Sequence, residues 1–155
     1  MDRADFTKIV APVFEHSPWV AARTCSQRPF PSREDLYAAL CNTVRQASGE
    51  EKMALIRAHP DLAERASLTA ESEREQASAG LDHASGSEIE KLRELNQQYR
   101  DRFDFPFIIC ARLHKKEEIP DAIRDRLTNS REHEIENALH EIFTIADLRL
   151  RDLVE

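Results

Sequence analysis

Glycine is scarce, with three residues in a chain of 155. Strand-rich folds built on tight turns need more of it. Cysteine is scarce too. Cys25, Cys41 and Cys110 are an odd number with no C-x-x-C spacing, which fits reduced thiols in a cytosol better than a disulfide framework or a zinc cluster. No apolar run approaches the roughly 20 residues of a membrane span. Positive charge is in deficit: the net charge of -7 argues against general nucleic-acid binding, which expects a basic face. Met1-Asp2-Arg3-Ala4-Asp5 lacks the basic-then-apolar layout of a signal peptide. Asp152-Leu153-Val154-Glu155 is not a peroxisomal address of the Ser-Lys-Leu kind. There is no glycine-rich phosphate loop and no G-x-S-x-G elbow. His133-Glu134 opens like H-E-x-x-H, but Asn137 stands where the second ligand belongs, so no metal site is expected. These absences point to a cytoplasmic protein without membrane or nucleic-acid partners.

What remains is helical. Apolar residues make up 41% and charged residues 33% of the chain, the balance of a solvated helical surface around a modest core. The length suits one domain spanning residues 1–155. Helices are expected over Asp5 to Val10 and after Ser17, which can cap the next one with Pro18 in its first turn. Gln27 to Pro31 holds two prolines and reads as a loop. Ser32 starts a helix with Leu36, Ala39, Leu40 and Val44 at helical spacing, and Glu34 and Asp35 favour its start. Ser48-Gly49 breaks the chain, and Glu50 to Ala58 is helical until Pro60 stops it. Further helices are expected over Ser72 to Ala79, Ser87 to Arg102, Pro120 to Leu127 and Arg131 to Leu153. In the last, Ile135, Leu139, Ile142, Ala146, Arg149 and Leu153 form one stripe. Phe105 to Cys110 is apolar but has no plausible partner strand, so a buried irregular or helical segment is expected. The architecture is a single-domain, all-α bundle of about eight helices.

Three constellations could carry chemistry. His59 sits at a proline break. The plain reading is a histidine at a helix C-terminus, where the macrodipole favours its charged form. The functional reading is an acid or base held rigidly by Pro60. Ser72-Glu73-Arg74-Glu75-Gln76 has the S-x-x-E spacing of a capping box. The same helix start offers backbone N–H groups to an anion, with Glu75 and Gln76 facing a ligand. The run Phe105 to Arg112 packs a core through its phenylalanines. Its irregular backbone leaves N–H and C=O groups for a planar polar ligand. Cys110 reads as a small buried apolar residue rather than a nucleophile.

Taken in order, these strings resemble the OHCU decarboxylase family. Phe14-Glu15-His16-Ser17-Pro18-Trp19-Val20-Ala21 resembles its opening motif. Ala58-His59-Pro60-Asp61-Leu62-Ala63 resembles its catalytic-histidine motif, and Ser72 to Leu81 its second signature. Leu95-Asn96-Gln97-Gln98-Tyr99 through Phe103 to Cys110 resembles the third. Arg126-Leu127-Thr128-Asn129 to Leu150 fits its tail. The match covers nearly the whole chain, with Asp104 and Ala111 as small departures.

The resemblance implies a cofactor-free, homodimeric, all-helical decarboxylase. Its substrate would be 2-oxo-4-hydroxy-4-carboxy-5-ureidoimidazoline (OHCU) and its product (S)-allantoin. It would be functionally coupled to urate oxidase and hydroxyisourate hydrolase. The catalytic histidine maps onto His59 and the active-site glutamate onto Glu75. Substrate contacts map onto Pro60, Ser72, Gln76 and the backbone of Phe107, Ile108, Ile109, Cys110 and Ala111. Arg74 is a further contact, and Arg149 an anchor for a carboxylate or carbonyl. The main rival is a non-enzymatic acidic helical interaction module, which leaves Arg149 in its apolar stripe and the proline-locked His59 unexplained. A metal-dependent hydrolase is the second rival, disfavoured by the missing ligand spacing.

Overall fold

The computed structural model describes residues 2–14, 17–59, 86–110, 113–114 and 117–153. Among these the regular structure is helical: seven α-helices and two short 3-10 turns, without a strand. The chain divides into two compact units, Met1–His59 with Ile142–Glu155, and Pro60–Glu141.

In the first unit, α1 spans Arg3–Val10, α2 Trp19–Thr24, α3 Arg33–Arg45 and α4 Gly49–Ala58. The 3-10 turns Ala11–Val13 and Cys25–Gln27 lie before and after α2. Short polar side chains set the helix starts by taking up N–H groups that the helix itself leaves unmet. Asp2 accepts from the Asp5 amide at 2.8 Å, and Ser32 from the Asp35 amide at 3.1 Å. Ser17, expected as a cap, is not one. Pro18 holds the cap position of α2 without a side-chain bond, and Ser17 contributes its carbonyl to the Val20 amide. The Ser48-Gly49 break is instead a full capping box, with the Ser48 hydroxyl on the Glu51 amide and the Glu51 carboxylate on the Ser48 amide.

The core of this unit is Val13, Phe14, Val20, Leu40, Val44, Leu55 and Ile56, joined by Ala146 and Leu150 from the C-terminal helix. Burying each large side chain contributes about 1.5–3 kcal/mol. The hydroxyls of Thr24 and Thr43 meet inside it at 2.7 Å. The chain's three cysteines are free thiols, with Cys25 and Cys110 buried.

In the second unit, α5 spans Gly86–Phe103 and α6 Ile119–Arg126. The long helix α7 spans Arg131–Leu153, with residues 131–141 in this unit and the rest in the first. Its expected stripe holds at Leu139, Ile142, Ala146 and Arg149 but ends early, because Leu153 is 47% exposed. Leu92, Leu95, Tyr99 and Phe103 form the buried face of α5. Asp104 ends that helix at φ 65°, with its amide bonded to the Arg100 carbonyl at 2.8 Å. This is a left-handed helix stop on a residue other than glycine. Phe105 to Cys110 then runs without helix or strand assignment and fully buried. Tyr99 packs against Phe103, Phe105 and Phe107 with centroids 4.6, 5.8 and 5.3 Å away. Among the described residues no helix is long and apolar enough to cross a membrane.

Candidate active site

His59 follows the last turn of α4. Its backbone is extended, φ -78° and ψ 136°, as the residue before a proline requires. Its ring turns back, with Nδ1 3.0 Å from the Leu55 carbonyl, one of the acceptors a helix end leaves unmet. A carbonyl cannot donate, so Nδ1 carries the hydrogen. In the neutral ring the basic lone pair is then on Nε2, a buried atom. The residue is 5% exposed. The two readings of His59 therefore divide between its nitrogens: one closes the helix, and the other has the chemistry of a base.

Arg149 belongs to the same unit and is 4% exposed. Its Nη1 lies 3.5 Å from the carbonyls of Pro12 and of Val13 in the first 3-10 turn. The arginine seen in the apolar stripe is thus buried, with Nη1 directed at main-chain oxygen. A surface cleft of about 980 Å³ in this unit is lined by Phe6, Cys25, Arg28, Phe30 and Arg33 among others. None of the site residues read from the sequence lines it.

In the second unit, Phe107, Ile108, Ile109 and Cys110 are all at most 5% exposed. The expectation that this backbone is unpaired is corrected for two carbonyls. Ile108 accepts from Arg126 Nη1 at 2.6 Å, and Cys110 from the Leu113 amide at 3.1 Å. The donors differ. Among the described residues, none accepts from the amide of Phe107, Ile108 or Ile109. Pro60, Ser72, Arg74, Glu75, Gln76 and Ala111, with the helix expected over Ser72 to Ala79, lie outside the described residues.

Sequence reading missed a buried polar cluster beside this segment. Glu134 is fully buried. Its Oε1 accepts from the Tyr99 hydroxyl at 2.6 Å and from Arg126 Nε at 2.7 Å. Its Oε2 accepts from Asn129 at 2.8 Å and Asn137 at 2.6 Å. Burial pushes this carboxyl up, but the bonds from Tyr99 and Asn129 and the charge of Arg126 outweigh it and hold it below the usual carboxylate range. These are the Glu134 and Asn137 of the incomplete H-E-x-x-H string, and here their side chains are bonded to each other.

The OHCU decarboxylase family profile matches residues 1–151. A 2-oxo-4-hydroxy-4-carboxy-5-ureidoimidazoline decarboxylase of Halalkalicoccus jeotgali is 46% identical over 98% of this chain and 86% of its own length. Among solved structures, a crystal structure of (S)-allantoin synthase superposes with a TM-score of 0.79 at 26% identity. It covers all of this chain, which spans about half (51%) of that one. An OHCU decarboxylase solved in the presence of (S)-allantoin gives 0.77 at 23% identity, over 99% of this chain and 98% of that one, and shows the fold.

Proposed function

This chain belongs to the OHCU decarboxylase family, and we propose that it decarboxylates OHCU to (S)-allantoin, using no metal or organic cofactor. The observation that carries the reading is His59: a buried imidazole, oriented by the Leu55 carbonyl, on the residue to which the resemblance maps the family's catalytic histidine.

The chemistry has its electron sink inside the substrate. The departing carboxylate sits on the carbon next to a ring C=N bond, and that imine accepts the electron pair, its nitrogen taking up a proton, as carbon dioxide leaves. The enol-like intermediate loses its hydroxyl proton and gains one on the ureido carbon, on a single face. The protein must supply a group near the hydroxyl, another near the carbon, and a rigid pocket. In this reading His59 bonds the hydroxyl through Nε2. Glu75 orients the ring nitrogens or relays the proton. Pro60, Ser72, Arg74 and Gln76 contact the substrate. The backbone of Phe107 to Ala111 contacts its planar polar edge, and Arg149 anchors a carboxylate or carbonyl. The chain acts as a single-domain homodimer in the cytoplasm, consuming what urate oxidase and hydroxyisourate hydrolase produce.

The test is direct. Urate is converted with urate oxidase and hydroxyisourate hydrolase, this protein is added, and the optical activity of allantoin is followed. Rapid accumulation of the S enantiomer is expected. Racemic product at the spontaneous rate would mean that the chain is a helical interaction module instead.

A further inference from the structure

We propose that Arg126, held by Glu134, is a positioning residue that aims the Ile109 amide at the substrate; the inference rests on the reading above that this backbone contacts it. The run from Phe105 to Cys110 makes no helix or strand of its own, so its peptide planes need an external reference. Arg126 supplies one. Its Nη1 takes the Ile108 carbonyl at 2.6 Å, while Nε takes Glu134 at 2.7 Å and Nη2 reaches the Tyr99 hydroxyl at 3.4 Å. The guanidinium also lies 4.5 Å from the Phe107 ring centroid. A planar fork fixed at several points has little freedom to turn.

The peptide bond carries this fixation forward. The Ile108 carbonyl and the Ile109 N–H belong to one rigid trans plane and point in opposite directions. Turning the carbonyl towards Arg126 turns the N–H away from it, and among the described residues nothing accepts that hydrogen. An N–H with its direction set in advance is what a planar ring carrying carbonyl and ureido groups requires for binding on one face. Glu134 is the fixed end of the device. It is fully buried, it accepts from Asn129 and Asn137 on its other oxygen, and so it cannot follow Arg126 if the arginine shifts.

The experiment compares wild type with Arg126→Lys and Glu134→Gln in the coupled assay. It reads KM, kcat, the enantiomeric excess of allantoin and Tm. Lysine keeps the charge but cannot bond Glu134 and Ile108 as a fork. KM is expected to rise about tenfold or more and enantiomeric excess to fall. An Ångström-scale misplacement can cost on the order of 10²-fold in rate. Glu134→Gln, nearly isosteric, is expected to move the same quantities by less. A cluster that only holds the fold would lower Tm and leave KM and enantiomeric excess of the folded protein unchanged. That result in both variants overturns the inference, and in Glu134→Gln alone it does so if Arg126→Lys does not fold. A wild type that gives racemic allantoin overturns the functional reading instead, and this inference with it.

Discussion

The Tyr99 hydroxyl donates to Glu134 Oε1 at 2.6 Å, on a carboxylate with no solvent exposure. Replacing Tyr99 with phenylalanine removes one donor from a buried anion and leaves the ring stack intact. A loss of about 1–3 kcal/mol in unfolding free energy is expected, read from urea titration. An unchanged midpoint would mean that the other three donors suffice.

Glu134, Tyr99 and Tyr37 contribute to the pH dependence of stability. Glu134 titrates below its unfolded value, near 4.3, so its stabilisation is present above that pH and is lost as pH falls through the folded pKa. Burial pushes the phenols of Tyr99 and Tyr37 up. Their contribution is intact below about 10, the unfolded value, and declines as pH rises past it. Melting temperature against pH should show a plateau with both limbs, and Tyr99→Phe should soften the alkaline one. A protein equally stable at pH 7 and 11 would contradict these shifts.

His59→Ala should lower turnover by roughly 10²- to 10⁴-fold while the fold survives. His59→Asn is the sharper variant, because an amide can still donate to the Leu55 carbonyl without offering a base. Turnover should fall as far in both. Activity within about threefold of wild type in a folded preparation would remove His59 from the mechanism.

Glu75→Gln separates catalyst from helix cap. Glutamine also serves in a capping box, so a purely structural Glu75 would cost less than about 1 kcal/mol and leave turnover nearly intact. The proposed role predicts a loss of roughly 10²-fold or more in turnover with Tm nearly unchanged.

Because the electron sink is the substrate's own imine, activity should survive exhaustive chelation. Loss with EDTA and recovery with zinc or manganese would reverse the cofactor-free reading.

Asp104 holds φ 65°, a region that disfavours side chains and β-branched ones most. Asp104→Val should cost about 1–2 kcal/mol. Asp104→Gly should change stability by less than about 1 kcal/mol, since relieved strain offsets the added freedom of the unfolded chain. Equal effects of the two would show that the backbone relaxes there.

Much of the fold was legible because apolar periodicity reports burial directly. The bounds of α7 fall where the pattern put them, and Phe105 to Cys110, expected to be buried and irregular or helical for want of a partner strand, is buried and irregular. His59 stood out at a proline break and Arg149 in an apolar stripe, and both are buried. Caps were less legible. Ser17 and Ser48 both precede helices, and only backbone geometry decides which hydroxyl meets an amide. The Arg126–Glu134 cluster was illegible for a stronger reason: charged residues near helix ends pattern as surface, and its partners Tyr99 and Ile108 are distant in sequence.

The first unit is assembled from both ends of the chain. Tyr37 donates to the Phe143 carbonyl, Arg45 stacks on the Phe143 ring, and Arg149 reaches back to Pro12 and Val13. On a ribosome these pairs are separated in time. At roughly 5–20 residues per second, residues 60–141 take on the order of ten seconds to emerge. For that interval α3 and α4 lack the helix that completes their core. Leu40, Val44, Leu55 and Ile56 are then exposed to whatever binds nascent chains, so the yield of folded protein is a matter of translation speed and chaperone supply as well as of equilibrium stability.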